Sequence, residues 1–251
     1  MAEEIGWRPH AWDVEAARGA IVRRIHTEPL LAGPGGRVCY SDLGFILLGH
    51  ILERIAGIPL DEIFEAEVAR PLGLTSCGFR RLPLVPPADD DFAATELCPW
   101  RKRVLVGEVH DEHASLMGGI AGHAGLFGTA EDVERIVEAL VQAWHGEEES
   151  FLPQEVVRTF WRKAMPHATW ALGWDTPDPP ARGPSSSGRY FYPNAVGHLG
   201  FTGTSVWIDL ECRLSVILLT NRVHPSRENW KIKSFRPQLH DLVHTLFTKG
   251  A

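Results

Sequence analysis

Nearly all the strand signal in this sequence of 251 residues falls within residues 197–221, and that confinement decides what the chain can build. Residues 197–210 and 213–221 read as two strands, carrying VWIDL and LSVILLT, joined by a tight polar turn at Glu211 and Cys212. What precedes them reads as helix and loop. Val14, Ala17, Ile21 and Ile25 make one face of a helix over 13–25. A Gly-Pro turn follows at 33–36. Ser41 or Asp42 then caps the strongest helix of this half, apolar nearly all round from Leu43 to Ile55 and expected to be mostly buried, with Gly57 and Pro59 as its stop. A shorter helix covers 60–69, an irregular Pro- and Asp-rich excursion covers 81–102, and Thr129 caps a helix presenting Val133, Ile136, Val137, Leu140, Val141 and Trp144. Further helices are expected over 154–163 and 237–247, the last with Leu239, Leu242, Val243 and Leu246 inward, and a Pro- and Ser-rich loop over 176–188. The sum is one α+β domain: a helical region over about 10–165, then a hairpin and helix over about 188–249. Two strands make a poor sheet for this much helix, so the sheet is short of strands.

Composition narrows the function classes. At 44% hydrophobic with 9 Trp the chain has material for a core, which excludes intrinsic disorder. A net charge of -7, with basic residues dispersed, argues against nucleic acid, and the run Arg101, Lys102, Arg103 reads as a solvated loop. Cys39, Cys77, Cys98 and Cys212 are scattered without a C-x-x-C pair, which fits neither a disulfide framework nor a zinc ribbon and points to a reducing compartment. No apolar run reaches membrane-spanning length, so no membrane partner is expected. The N-terminal MAEEIGWRPH has acids where a signal peptide has lysines, so with Met1 as the true start the protein is expected in the cytosol.

Three segments carry chemistry. Tyr40-Ser41-Asp42 opens the apolar helix and continues as LGFILLGHILERIAGIPLDEIF and PLGLTSCGF. His110-Asp111-Glu112 leads into GGIAGHAGLFGTAEDV. His198-Leu199-Gly200-Phe201-Thr202-Gly203 lies on the first of the two strands. In this order they resemble the penicillin-binding-protein and class C β-lactamase group of serine hydrolases, with its related carboxylesterases. Tyr40-Ser41-Asp42 is similar to the Tyr-x-Asn motif, and His198-Leu199-Gly200 to the Lys-Thr-Gly motif in its His-x-Gly form. The resemblance implies an incomplete β-lactamase/transpeptidase-like fold lacking its N-terminal strands and nucleophile helix. It also implies hydrolysis of an ester, amide or lactam in a small-molecule or peptide acyl substrate, without a cofactor.

By that resemblance Tyr40 is the general base and Asp42 and His198 its catalytic companions, while Gly200, Phe201 and Thr202 bind substrate, Phe201 offering its backbone N–H to the oxyanion. A phenol titrates near 10 and needs cationic neighbours to act at neutrality. His198 replaces a lysine and is only partly charged at pH 7. That weaker charge favours an esterase or peptidase over a true β-lactamase. Asp42 replaces the usual Asn and accepts but does not donate when ionised. The nucleophile is missing: Lys102, Lys163, Lys231, Lys233 and Lys249 follow Pro99, Phe160, Glu228, Trp230 and Leu246 by three places, so these residues contain no Ser-x-x-Lys. Activity of the chain alone is therefore not expected, and a non-catalytic homologue, a binding module or gene fragment, is the alternative.

Other patterns point elsewhere and fall short. His110, Glu112, His113 and His123 include an H-x-x-H but not H-E-x-x-H on a helix, so no metal site is expected there. Gly118, Gly119, Gly122 and Gly125 lack the G-K-[ST] of a phosphate loop and suit tight backbone packing. No G-x-S-x-G elbow occurs. A sheet short of strands leaves an unpaired edge, through which self-association is expected.

Overall fold

A computed structural model describes residues 13–83, 92–165, 168–179, 181 and 183–248. The first residues of the expected helical region, residues 84–91 of the Pro- and Asp-rich run and the extreme C-terminus lie outside them. The chain divides into two compact units after Thr129.

In the first unit, helix α1 (Val14–His26) begins where Asp13 accepts the Ala16 N–H, and it buries Ala17, Ile21, Val22 and Ile25. Helix α2 (Asp42–Ala56) ends at Gly57, whose φ of 73° is the left-handed stop that glycine supplies without a steric penalty. Helix α3 (Leu60–Phe64) runs on into one π-helical turn, Glu65–Ala69. Strand β1 (Gly78–Phe79), the hairpin β2 (Leu97–Cys98) and β3 (Arg103–Val104), helix α4 (Glu112–Leu116) and strand β4 (Leu126–Phe127) complete it, β1 pairing antiparallel with β4. Ile21, Ile25, Ile46, Val109, Leu116 and Met117 form its core. Arg18 ties α1 to α2 through Glu53, both ends largely buried, and donates to the carbonyls of Met117 and Ile120.

Two expectations are corrected here. Helix α2 is not mostly buried: only Ile46 and Gly49 are enclosed, Leu48, Ile51 and Leu52 are exposed, and Ile55 is 79% exposed. One helix face meets the core of this unit, and no described element of the unit covers the other. The run at 101–103 is not simply solvated. Arg101 is buried, donating to the carbonyls of Val109 and His110 and facing Glu108, which Arg103 also contacts. The hairpin β2–β3 likewise gives order to part of a stretch expected to be irregular.

The glycine-rich segment is tight backbone packing, as its composition suggests. A Cβ at Gly122 would strike the Phe45 carbonyl, and Gly49 meets Gly122 backbone to backbone. Glycine at both places lets α2 lie directly on the loop.

The second unit wraps one sheet with helices. Helix α5 (Ala130–His145) starts next to Thr129, as expected, and α6 (Gln154–Phe160) follows. The expected two-strand hairpin is instead a three-stranded antiparallel meander, β5 (Val196–Leu199), β6 (Ser205–Asp209) and β7 (Leu214–Leu218), in the order β5-β6-β7. What reads as one strand over 197–210 is broken by the Gly200–Gly203 segment, where Gly203 has φ of 126° and turns the chain back. Register sets Gly197 opposite Trp207, and a Cβ on Gly197 would strike the indole. Strand alternation then sorts the faces. Val196 and Ile208 pack with Val137, Val141 and Trp161, while Trp207 and Val216 pack with Phe191 and Val243.

Helix α7 (Ile232–Thr248) starts about a turn before the expected 237, and Pro237 lies inside it. Its buried face also differs from expectation. Arg236, His240 and His244 are enclosed with Ile232, whereas Leu242 and Leu246 are exposed. The spacing i, i+4, i+8 puts the three polar residues on one stripe, and each finds partners there: Arg236 the carbonyls of Gly200 and Thr204, His240 Ser205 and Ser186, His244 Asp209 and Thr248. Paired polar groups can be buried without penalty where apolar periodicity alone would place leucines.

Candidate active site

The residues singled out by motif fall into two groups, one on each unit. Tyr40 and Asp42 stand at the start of α2. Ser41 occupies the N-cap position, extended at φ -154°, but its side chain makes no capping hydrogen bond. The Tyr40 ring rests 5.7 Å from Phe45, and Tyr40 is 44% exposed, so its hydroxyl is reachable. That hydroxyl is not tuned as a base. Partial burial, the Asp42 charge, a hydrogen bond to Asp42 and the Asp111 charge together raise it above its ordinary 10. Asp111, which caps α4 through the Ala114 N–H, takes a 2.8 Å hydrogen bond from His123. Burial opposes its ionisation, but the bonds from His123 and Ala114 prevail and bring it down to about 2. It is therefore a fixed negative charge near Tyr40. His110 is taken up by Glu96 at 3.0 Å, so His110 and His123 serve separate carboxylates and do not converge on a metal.

The second group sits at one end of the meander. His198 lies on β5 with Nδ1 3.0 Å from the Leu199 carbonyl and its ring 5.8 Å from Trp170. Burial pushes its pKa below 6.5, more than the Leu199 hydrogen bond restores, so the ring is neutral at pH 7. Gly200, Phe201 and Thr202 lie in the turn after β5 and not on a strand, which corrects the sequence expectation.

That turn is braced by residues the sequence did not single out. Arg236 donates to the carbonyls of Gly200 (2.7 Å) and Thr204 (2.6 Å). Arg222 donates its Nε to the Phe201 carbonyl and its backbone N–H to that of Thr202, with its guanidinium 4.3 Å from the rings of both Phe201 and Trp230. Thr220 takes the Gly203 carbonyl. With its carbonyls fixed by cations the turn is rigid, which is what an oxyanion donor requires of its backbone. Neither arginine carries a sequence signal for this, since both stand in mixed polar surroundings, Thr220-Asn221-Arg222 and Ser234-Phe235-Arg236.

Two candidate nucleophiles of the second unit, Ser205 and Cys212, are not placed to act. Ser205 lies 3.3 Å from His240 Nε2, and His240 Nδ1 faces the Ser186 carbonyl, but Ser205 and His240 are both buried beyond the reach of a substrate. At Cys212, burial and the Asp209 carboxylate push the thiol up to about 11, far from a thiolate at neutrality. A cleft of about 570 Å³ lined by Trp144, Arg158, Trp161 and Lys163 lies in the second unit but takes no wall from the His198 turn.

Residues 4–233 match the Beta-lactamase family. The chain belongs to that family. Among curated relatives, a protein of Escherichia coli strain K12 provisionally named D-alanyl-D-alanine carboxypeptidase is 33% identical over 219 residues, covering 82% of this chain and 50% of its own length. A relative of the same name from Salmonella heidelberg strain SL476 is 32% identical over 230 residues, with 86% and 52% covered. The chain thus spans about half the length of the curated relatives it matches. Solved structures show the fold. A β-lactamase from Mycobacterium bovis superposes with a TM-score of 0.62 at 18% identity, covering 89% of this chain and 70% of that one. Simvastatin synthase from Aspergillus terreus gives 0.64 at 14%, with 94% and 61% covered. An octameric penicillin-binding protein homologue from Pyrococcus abyssi gives 0.60 at 20%, with 93% and 49% covered. The family chain of β-lactamase/transpeptidase-like fold expected from Tyr40, His198 and their contexts is the one found.

Proposed function

We propose that Tyr40, on the first unit, serves as a base and the His198 turn, on the second, as an oxyanion donor in acyl-serine hydrolysis, and that each is catalytically silent without a segment bearing Ser-x-x-Lys. The observation that carries this reading is the environment of Tyr40. The Asp42 and Asp111 carboxylates act on its hydroxyl and oppose the phenolate a base requires, a charge balance that the lysine of a Ser-x-x-Lys would reverse. The relatives' name makes a peptide ending in D-Ala-D-Ala the first substrate to try. The neutral His198 supports a peptidase or esterase over a β-lactamase, because it offers no full positive charge to a substrate carboxylate. A second reading, a non-catalytic binding module, rests on the same missing motif. Its four cysteines, none in a disulfide, suit a reducing compartment.

A serine-directed fluorophosphonate probe and a short acyl ester test the proposal. No labelling and no hydrolysis by the chain alone is the expected result; stoichiometric labelling would overturn it. Adding a family segment that carries Ser-x-x-Lys separates the two readings. Labelling that appears on the added serine and is lost in Tyr40→Phe supports the hydrolase, and binding of the peptide without turnover supports the module.

A further inference from the structure

At the end of the meander away from the Gly200–Gly203 turn, three potential metal ligands converge. Asp209 closes β6, Cys212 lies in the turn to β7, and His244 reaches in from α7. We propose that Asp209, Cys212 and His244 form a site for a thiophilic divalent cation of the zinc type, which pins the C-terminal end of α7 to the β6–β7 turn.

The geometry carries it. One ligand atom from each residue lies within 4.8 Å of the other two, with His244 Nε2 3.2 Å from Asp209 Oδ2 and 3.9 Å from Cys212 Sγ. Ligand atoms around a tetrahedral zinc, at about 2.0–2.3 Å from the metal, stand about 3.3–3.8 Å apart. The His244–Asp209 and His244–Cys212 pairs are near that spacing. Cys212 lies at the surface with its thiol partly desolvated, so a fourth position can be reached from solvent on its side.

The tautomer of His244 is the second argument. The Thr248 hydroxyl has one proton, and the His244 carbonyl takes it at 2.6 Å. Thr248 Oγ1 can then accept from Nδ1–H at 3.1 Å, the tautomer that leaves Nε2 available as a ligand. At Nε2 a cation would take the place of the proton that otherwise joins His244 to the Asp209 carboxylate. An imidazole whose far N–H is held by an outer partner is the usual form of a metal ligand. Other outer contacts are in place. Asp209 Oδ1 accepts from the N–H groups of Glu211 and Cys212, Oδ2 accepts from Tyr192 N–H, and the rings of Phe191 and Tyr190 flank His244 at 5.4 and 6.1 Å.

A Cys-His-Asp relay does not fit. In a relay the thiol and the carboxylate take opposite ring nitrogens, whereas here both face Nε2. On binding, the thiol proton leaves to bulk water and the new metal–sulfur bond takes its electron pair. A dication with one thiolate and one carboxylate is then neutral overall, which a largely buried site favours.

The test uses the full chain, without a histidine tag, dialysed against a chelator. Cobalt(II) should produce a near-ultraviolet sulfur-to-cobalt band with the strong visible bands of a four-coordinate ion, and one equivalent of zinc should displace it. Cys212→Ser should abolish the sulfur band and weaken zinc by more than about 100-fold in competition with a chromophoric chelator, and Thr248→Val by about tenfold. Cys39→Ser, at an exposed cysteine elsewhere, should change neither. No sulfur band in the wild-type chain overturns the proposal. So does a band that survives Cys212→Ser or disappears in Cys39→Ser. The wild-type result alone decides if a variant fails to fold.

Discussion

At His198 the imidazolium would lose its hydration, and the bond to the Leu199 carbonyl does not compensate, so the protonated form is the disfavoured one in the folded chain. Its proton NMR titration midpoint should lie below 6.5. The sign follows: the stability tied to this ring is present above 6.5 and is lost as pH falls through the lowered pKa. Asp111 acts in the same direction further into acid. Its folded pKa of about 2 lies below its ordinary 3.8, so its contribution is complete above 3.8 and is lost as pH falls toward 2. Asp111→Asn keeps the cap and loses the charge; it should cost about 2 kcal/mol at pH 7 and nothing at pH 2, measured by urea unfolding. Asp175 runs oppositely. Burial raises it to about 6, so its stability is present below 3.8 and is lost as pH rises through 6. Asp175→Asn should therefore stabilise the chain at pH 8 by about 1 kcal/mol after solvent screening, and be neutral at pH 4. At this scale the motifs located Tyr40 at the start of α2 and His198 on β5. The sequence was silent on Arg222 and Arg236, because a charge that braces backbone carbonyls has no spacing of its own.

Helix α2 and the glycine-rich segment meet through backbone, and the element-scale prediction rests on that. Gly122→Ala forces its methyl against the Phe45 carbonyl, which cannot rotate away as a side chain would. It should cost about 3 kcal/mol in chemical unfolding, while alanine at Gly44, which has open space around it, should stay within about 1 kcal/mol. Helical spacing found α1, α2 and α5 close to their observed limits, since an apolar stripe and a capping side chain are local signals. Burial was less legible. Leu246 and Ile55 read as core by periodicity, yet periodicity reports only that a face is apolar, not which element covers it. The reverse held for His240 and His244, polar side chains made fit for the interior by partners at Ser205 and Asp209, 35 positions away in both cases. The break of one expected strand into β5 and β6 had a visible cue in Gly200 and Gly203, overridden by the continuous β-branched and apolar run around them.

Both units expose more apolar surface than a monomer needs: Ile51, Leu52 and Ile55 along α2 in the first, Phe235, Leu242, Leu246 and Phe247 along α7 in the second. Strand β7 pairs with β6 and with no other described strand, leaving an edge. We expect concentration-dependent self-association by sedimentation velocity, relieved by Ile55→Lys with Leu246→Lys without loss of unfolding free energy. A monomer at every concentration would refute this. Fold class and family were legible in the chain as a whole because three motifs stood in order in their proper contexts. The division after Thr129 was not, because no linker composition marks it. The polar stripe of α7 has one more consequence. Grease tolerates sliding, and a helix seated by leucines can shift by a residue and still be seated. Arg236, His240 and His244 meet their partners like teeth in a lock, and a slip in register disengages all three together. The helix and the turn that Arg236 holds should accordingly open as one event, their amides exchanging with solvent at a common rate.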